Sequence, residues 1–313
     1  MNTKIKLKLF LTVIIMLMLS ISIFAQVSIE KRSFDVEDGG NLYLKTEIGG
    51  IKINSHSKSK ADVNIYLKGD ADKDDYEKFK KNYSIEFNHQ GANLEIICKK
   101  TNYDNWLSRM FRGKNFRVVF EVTLPQKYDI DVKTSGGGIS VKNIKGLVET
   151  KTSGGGLHFQ NIKGKIDGKT SGGGINASKC IGDIKISTSG GGIKINDCKG
   201  DVDASTSGGG ITVKKIYGNL NASTSGGSIY AEILEQPKEN CSLTTSGGGI
   251  KVKLKKDIHL DLDASTSSGH VECEFPITSK GKVKSSRLKG EINGGGPKLR
   301  LRSSAGSVKI LEY

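Results

Sequence analysis

The chain has 313 residues, of which 40 are glycine, only 4 are proline and 6% are aromatic. Its formal net charge of +15 comes mainly from lysines, many of which alternate with apolar residues as on the solvent side of strands. Nucleic-acid-binding proteins usually concentrate arginine and aromatic residues on one face. The composition therefore argues against a nucleic acid as partner, and it leaves open a weak attraction to acidic envelope polymers.

Residues 1–25 have the pattern of a signal peptide. Lys4, Lys6 and Lys8 precede an apolar run over residues 9–24, and Ala25 is a small residue before a cleavage point. No later stretch is apolar enough for a stable membrane span. The sequence therefore predicts an exported protein of the periplasm, the cell surface or the extracellular medium.

Residues 26–126 are predicted to form an N-terminal β-rich capping region with one helix. Strands are expected at 41–46, 49–54, 61–68, 83–88, 92–99 and 115–124. The helix is expected over about 72–83, because Asp72 can cap it and Tyr76, Phe79 and Tyr83 form one apolar stripe.

The segment 102–115 is predicted to be a basic loop that also contains aromatic residues. Trp106, Met110 and Phe111, with Arg109 and Arg112 beside them, are candidates for contact with a partner. The alternative, which monomeric proteins favour, is that the loop packs its aromatic residues onto the sheet.

From residue 127 to 313 the chain repeats the unit TSGGG. Thr134, Thr152, Thr170, Thr188, Thr206 and Thr224 recur every 18 residues, and Thr245 and Thr266 follow at intervals of 21. Each unit alternates apolar and polar residues in two short strands. Such strands bury a face only when unit stacks on unit, so the period predicts a solenoid in which Ile175, Ile193 and Ile211 lie above one another.

The fold class is therefore all-β, a right-handed parallel β-solenoid with 18-residue rungs. Glycine is expected at the corners because the chain reverses there with φ > 0. These structural turns are Gly136, Gly154, Gly172, Gly190, Gly208, Gly226 and Gly247. The last strand, within 303–313, is expected to leave an open edge, which predicts an end-to-end homodimer.

The sequence resembles a family of exported bacterial proteins. The segment FDVEDGG at 34–40, the strand IGGIKIN, the helix near 72–83, EVTLP at 121–125 and the serial TSGGG units are similar to the putative-adhesin domain of unknown function with β-strand repeats. The resemblance covers roughly 30–313. It implies a β-solenoid and an adhesin-like role, and it carries no catalytic residues over to this chain.

No cofactor or metal site is predicted. The five cysteines occupy apolar columns, and Cys180 and Cys198 lie one rung apart, so either two buried thiols or a disulfide is compatible with the sequence. A column of carboxylates, Glu149, Asp167 and Asp203 with Asp263, is the main sign of a glycan-cleaving site, although neighbouring lysines explain it as charge compensation.

The sequence thus favours a non-enzymatic adhesin-like or scaffold protein that binds an envelope polysaccharide or protein through its solenoid faces. A glycan-active β-helix enzyme is one alternative. An envelope-stress or signalling module that binds a protein at a solenoid end is another.

Overall fold

The structure is a computed structural model that describes residues 26–101, 116–279 and 284–313. The predicted signal peptide lies outside these residues, and no described helix is long and apolar enough to cross a membrane. One helix is present among them, α1 (Lys73–Asn82). The strands are β1 (Gln26–Asp35), β2 (Gly40–Thr46), β3 (Gly50–His56), β4 (Lys60–Gly69), β5 (Tyr83–Gln90), β6 (Asn93–Lys100), β7 (Phe116–Pro125), β8 (Tyr128–Thr134), β9 (Ile139–Lys142), β10 (Val148–Thr152), β11 (Leu157–Gln160), β12 (Ile166–Thr170), β13 (Ile175–Ser178), β14 (Ile184–Thr188), β15 (Ile193–Lys199), β16 (Val202–Thr206), β17 (Ile211–Tyr217), β18 (Leu220–Thr224), β19 (Ile229–Ile233), β20 (Cys241–Thr245), β21 (Ile250–Leu254), β22 (Leu260–Thr266), β23 (Val271–Cys273), β24 (Ile277–Ser279), β25 (Arg287–Ile292), β26 (Lys298–Ser303) and β27 (Val308–Glu312).

The strands form two sheets that face each other across a thin core. The first sheet runs β1-β4-β7-β3-β9-β11-β13-β15-β17-β19-β21-β27-β23, and the second runs β24-β25-β22-β26-β20-β18-β16-β14-β12-β10-β8-β2-β6-β5. We call one strand of each sheet, joined by a corner, a rung. Ile175, Ile193 and Ile211 pair in parallel register and are at most 1% exposed. The predicted β-solenoid with stacked aliphatic columns is confirmed.

Large and small side chains alternate across the core. Phe159 of β11 is fully buried and fills the space beside Gly168 of β12, where an added Cβ would lie 2.9 Å from the phenyl Cζ. Thr150 and Ile186 stand in the same column as Gly168 on the neighbouring rungs. Column composition is therefore adjusted rung by rung to what faces it, as close packing requires.

The TSGGG corners are tied together by the threonine. The Thr188 hydroxyl donates to the carbonyl of Gly173 one rung below, at 2.7 Å. The same bond recurs at 2.6–2.7 Å from Thr134, Thr152, Thr170, Thr206, Thr224 and Thr245. Ser303 makes it to Gly248. Each hydroxyl thus satisfies a corner carbonyl that has no place in the strand ladder.

The reason for glycine at these corners differs from the predicted one. None of the TSGGG glycines has φ in the left-handed region. A Cβ on the middle glycine, Gly191, would instead lie 2.4 Å from the oxygen of Gly173 and the nitrogen of Gly174. The corners require glycine because backbone stacks directly on backbone, and the middle position is tighter than the predicted first position, Gly190, where the nearest atom is 3.0 Å away.

Left-handed backbone occurs instead at the opposite corner, which joins a strand of the first sheet to the next strand of the second sheet, as between β9 and β10. Gly146, Gly164, Gly182, Gly200 and Gly218 have φ between 125° and 159°. Three residues before each, a non-glycine residue has φ of 53–60°. These residues are Asn143, Asn161, Lys179, Asp197 and Lys215. Asparagine and aspartate tolerate this conformation better than lysine does.

The N-terminal strands belong to the same two sheets. β2 pairs with β8, and β3 pairs with β9, so these two strands form a rung that the 18-residue period does not reveal. β6 and β7 form the next rung outward. β4 and β1 extend the first sheet antiparallel, and β5 does so for the second. The helix is confirmed, with Asp72 and Asp75 in a reciprocal capping box.

The order of rungs changes at the C-terminal end. β26 lies between β20 and β22, and β27 lies between β21 and β23. The Thr266 unit therefore does not stack on the Thr245 unit as its spacing suggests, because the last segment of the chain occupies the rung between them. The prediction of an open edge at 303–313 is wrong for the same reason: β27 is paired on both sides.

Candidate functional site

A column of lysines follows the left-handed corner. Lys127, Lys145, Lys163, Ile181 and Lys199 are joined by successive parallel bridges, and all five side chains are exposed. We call Lys127, Lys145, Lys163 and Lys199 the lysine ridge. Parallel bridges hold neighbouring positions about 4.8 Å apart, so the backbone positions of the ridge follow one another along the solenoid axis, with Ile181 between Lys163 and Lys199.

The ridge lysines lack carboxylate partners. Among the described residues, none of the four lies within 4.0 Å of an aspartate or glutamate oxygen. Lys199 alone has a defined neighbour, since its Nζ lies 5.6 Å from the centroid of the Tyr217 ring. Like charges stacked at strand spacing repel each other, so the ridge keeps a positive potential that the protein does not neutralise locally.

A second column lies two residues further along the chain and changes the net charge beside the ridge little over the first rungs. It contains Asp129, Leu147, Lys165, Asp183 and Asp201. Over the rungs of Lys127, Lys145 and Lys163 it adds one aspartate and one lysine. Asp129 uses its Oδ1 to accept the backbone N–H of Leu147 at 2.7 Å. The N-terminal half of the ridge therefore retains a net excess of three positive charges.

An asparagine ladder runs beside the ridge. Asn161 donates through Nδ2 to Oδ1 of Asn143 at 2.9 Å, and Asn143 donates in the same way to Asn54 at 3.0 Å. All three side chains are exposed. Amide groups offer both donors and acceptors, so neutral hydrogen-bonding groups lie next to the ammonium groups on the same edge.

The outer face of the second sheet is organised differently. The predicted carboxylate column is present, with Asp131, Glu149 and Asp167 on consecutive rungs, followed by Lys185 and Asp203. Lys133 binds Asp131 at 2.9 Å and Lys169 binds Asp167 at 3.4 Å. Asp263 is separated from this column because Arg300 and Ser242 intervene. Two of the carboxylates in this column, Asp131 and Asp167, are therefore compensated by lysines of the same face.

A pocket of about 420 Å³ opens at the N-terminal end of this face. Tyr43, Glu95, Asp131 and Glu149 line it together with asparagine side chains. Two of these lining residues contact Lys133, whose ammonium pairs with Asp131 at 2.9 Å and lies 5.4 Å from the centroid of the Tyr43 ring. Hydrogen bonding by Asp131 raises the pKa of Lys133.

A larger groove of about 700 Å³ lies beside the first glycine corners. Its lining combines backbone of the corner glycines with Ile48 and Val118, and Lys52, Lys68 and Arg117 are among its charged residues. Tyr66 accepts from Lys52 at 3.4 Å and donates to Glu121 at 2.9 Å. Burial, followed by the bond to Glu121, raises the pKa of Tyr66 to about 12.

A serine–histidine–glutamate contact occurs near the C-terminal end. His270 Nδ1 lies 3.1 Å from Ser307 Oγ, and its Nε2 lies 2.6 Å from Glu272 Oε1. The Lys309 ammonium, followed by His270, lowers the pKa of Glu272. The His270 and Glu272 side chains are about half exposed, and none of the grooves above includes these residues, so the contact links β23 to the β27 rung on an open surface rather than in a water-excluding site.

The cysteines are free thiols in the structure. Cys98, Cys180, Cys198 and Cys241 are buried, and Cys273 is partly buried. Burial raises the pKa of Cys98 to about 12. Hydrogen bonding between neighbouring thiols lowers the pKa of Cys180 and raises that of Cys198. Within the described residues, no group of three or more histidine, cysteine, aspartate or glutamate side chains could hold a metal ion.

The predicted partner-contact residues in the basic loop, Trp106, Arg109, Met110, Phe111 and Arg112, lie outside the described residues. Their role stays a prediction.

Stacked two-stranded rungs with glycine corners define this chain as a β-solenoid. Residues 41–311 match the family described as Toastrack DUF4097. Since the match covers most of the chain, the protein belongs to the Toastrack family, and the resemblance seen in the TSGGG units is confirmed.

Several solved structures are similar. One from Parabacteroides merdae, named "a putative adhesin", is 13% identical, covers 91% of this chain and 95% of that chain, and has a TM-score of 0.46. One from Parabacteroides distasonis, named "putative lipid binding protein", is 13% identical, with 91% and 96% covered and a TM-score of 0.40. One from Clostridium sporogenes, named "a putative cell adhesion protein", is 12% identical, with 91% and 99% covered and a TM-score of 0.26. No curated protein matches the sequence.

Proposed function

We propose that this protein is an exported, non-enzymatic scaffold or adhesin-like protein that binds polymers or proteins of the cell envelope or extracellular space through its solenoid surface. One observation carries the proposal: side chains of one type recur at one-rung intervals on the outside. The lysine ridge and the asparagine ladder are examples. A regular array of identical groups suits a partner with its own repeat, because each repeat adds a contact of similar energy.

The N-terminal sequence supports export. Residues 1–25 have a basic start, an apolar stretch and a small residue before the cut. Separation of cytoplasm, periplasm, surface and medium is the direct test. We expect the protein outside the cytoplasm, and a purely cytoplasmic location would contradict the proposal.

Binding is tested with isolated envelopes and a glycan array. The purified protein should sediment with envelope material or bind a subset of glycans, and heat-denatured protein serves as control. If neither envelope polymers nor envelope proteins retain the folded protein, the proposal fails.

A glycan-cleaving enzyme is the second candidate, and the pocket at the end of the second sheet favours it. Glu95, Asp131 and Glu149 line that pocket, and glycosidases act through a pair of carboxyl groups. A parallel ladder places carboxylates at about 4.8 Å by construction, however, so spacing alone does not mark a catalytic pair. Release of new reducing ends from any polysaccharide would establish the enzyme.

An end-to-end homodimer, or a signalling partner bound at an end, must use other strands than β27. The outer strands of the two sheets are β1 and β5 at one end and β23 and β24 at the other. β23 and β24 have only three residues each. Short edge strands discourage pairing with another chain, so we propose that any such contact occurs at the β1 and β5 end.

A further inference from the structure

We infer that the lysine ridge and the asparagine ladder form the binding surface for a linear acidic polysaccharide, a sugar chain with carboxylate groups repeated along its length. The inference rests on the proposed function and specifies both the ligand chemistry and the surface.

The first argument is charge. Two lysines of the second-sheet face, Lys133 and Lys169, are paired with carboxylates. The ridge lysines in the same rungs, Lys127 and Lys163, have no such partner among the described residues. Stacked ammonium groups destabilise the free protein, and an anionic chain laid along the ridge relieves this repulsion. The ridge is thus a place on the solenoid where a bound anion gains favourable contacts.

The second argument is shape. Parallel rungs advance by about 4.8 Å, so Lys127 to Lys163 spans about 10 Å and Lys127 to Lys199 about 19 Å. The groups lie in a line on a corner rather than around a cavity. Such a line fits an extended polymer that contacts several rungs, whereas a small anion would contact only one or two lysines.

The third argument is the asparagine ladder. Asn143 and Asn161 lie two residues before the ridge lysines Lys145 and Lys163, and Asn54 continues their ladder; all three amides are exposed. Sugar hydroxyl groups are hydrogen-bond donors and acceptors, as amides are. An acidic polysaccharide can therefore place carboxylates on lysines and hydroxyls on asparagines along one edge.

Other polyanions fit this surface less well. Single-stranded nucleic acids need free aromatic platforms for stacking, and the one aromatic ring on the ridge, Tyr217, is associated with Lys199. An anionic membrane surface requires apolar groups to insert, and the ridge offers only Ile181 and the adjacent Leu147, 49% and 37% exposed.

The experiment compares two triple variants of the full protein. The ridge variant carries Lys127→Gln, Lys145→Gln and Lys163→Gln. The matched control carries Lys133→Gln, Lys151→Gln and Lys169→Gln, which removes the same charge from three rungs of the same length of solenoid. Binding is measured to polygalacturonate, with neutral dextran as the uncharged probe, and thermal melting verifies that both variants fold.

We expect the native protein to bind polygalacturonate and not dextran, with affinity that falls as salt rises. The ridge variant should bind about tenfold more weakly, since each exposed ion pair contributes a modest amount. The control should stay within about twofold of native, because two of its three lysines, Lys133 and Lys169, are already paired with aspartates. Asn161→Gly keeps a left-handed corner and removes the amide. It should weaken binding to polygalacturonate but leave binding to inorganic polyphosphate unchanged.

Three results would overturn the inference. Equal losses in both triple variants would mean that binding follows net charge. Tighter ridge-dependent binding to phosphatidylglycerol vesicles or single-stranded DNA would replace the sugar with another polyanion. If envelope material retained the ridge variant as strongly as the native protein, the ridge would not be the binding surface, but the proposed function would stand. If the native protein itself did not bind envelope material, the proposed function would be wrong.

Discussion

The three glycines of one corner should respond very differently to alanine. At Gly191 the new Cβ would lie 2.4 Å from two backbone atoms of the rung below, where ordinary contact begins at 3.4 Å. The corner must therefore move by about 1 Å, since backbone cannot rotate away as a side chain can. At Gly190 and Gly192 the nearest atom is 3.0 Å away, so a shift of a few tenths of an ångström suffices.

The energetic difference follows from what that movement breaks. The bonds from Ile175 to Gly192 and from Ile193 to Gly210, both 3.0 Å, flank the corner. Losing them costs about 1 kcal/mol each, and overpacking strain adds about 1–3 kcal/mol. We expect Gly191→Ala to lower the free energy of unfolding by about 3–5 kcal/mol. Gly190→Ala and Gly192→Ala should cost about 1 kcal/mol or less, since alanine also reduces the entropy of the unfolded chain.

The measurement is equilibrium unfolding in urea followed by circular dichroism, with native protein and all three variants in parallel. The flanking variants control for the loss of glycine itself. If alanine at 190, 191 and 192 shifted the midpoint equally, the stacking argument for the middle glycine would be wrong.

Three further predictions concern other contacts. Thr188→Val should lower the free energy of unfolding by about 1–3 kcal/mol, because a corner carbonyl loses its hydrogen-bond donor. Thr188→Ser keeps the hydroxyl and should retain most of the native stability. Equal urea midpoints for the two variants would contradict this prediction. Gly168→Ala should destabilise the fold, because the new Cβ clashes with Phe159. A double variant that adds Phe159→Leu should regain part of the lost stability, as measured by thermal melting. If the stability losses of the two single variants simply added, the pairing of Gly168 with Phe159 would be ruled out. Burial raises the pKa of Asp263, but the hydrogen bond from Arg302 and the positive charges of Arg302, Lys289 and Arg287 together outweigh burial and hold the pKa below the usual value. The carboxylate therefore stabilises the fold above about pH 4, and this stabilisation is lost as the pH falls through the lowered pKa. Asp263→Asn should cost about 2 kcal/mol at neutral pH and flatten the acid side of the stability profile, and an unchanged profile would refute that role.

The regular part of the fold was predictable because its signals are local and repeated. Alternation along each strand fixes which side chains point inward, and the 18-residue interval fixes which side chains stack, as Ile175 and Ile193 illustrate. The helix was predictable from Asp72 and its apolar stripe for the same reason.

The ends were not predictable from the interval alone. Ser303 fills the threonine position of a rung as well as Thr266 does, so the choice of neighbour for β20 depends on competition between distant segments. The sequence did contain a signal, since SSAGSVKI at 303–310 matches the TSGGGI pattern with serine and alanine in place of threonine and glycine. β1 was missed because a bulge between Ser28 and Glu30 interrupts its alternation.

The lysine ridge was missed because the net charge of the whole chain does not show where the lysines lie. Lysine follows the repeat threonine by 11 residues at Lys145, Lys163 and Lys199, so the ridge could be found by aligning polar columns as well as apolar ones. Overall charge suggested only a solvated surface. What the sequence could not provide was the contrast between paired and unpaired lysines, because pairing depends on side-chain distances across rungs.

The interleaved rungs at the C-terminal end set a rule for how such a chain can change in length. β26 and β27 come last in sequence yet lie inside the stack, between β20–β21 and β22–β23. A duplicated 18-residue unit can be accommodated in the middle of the protein, where order along the chain and order in space agree. A chain cut short before residue 298 would lack β26 and β27, so β22 and β23 would lose the strands with which they pair in parallel. The stack is therefore complete only after the last residues of the chain have been synthesised.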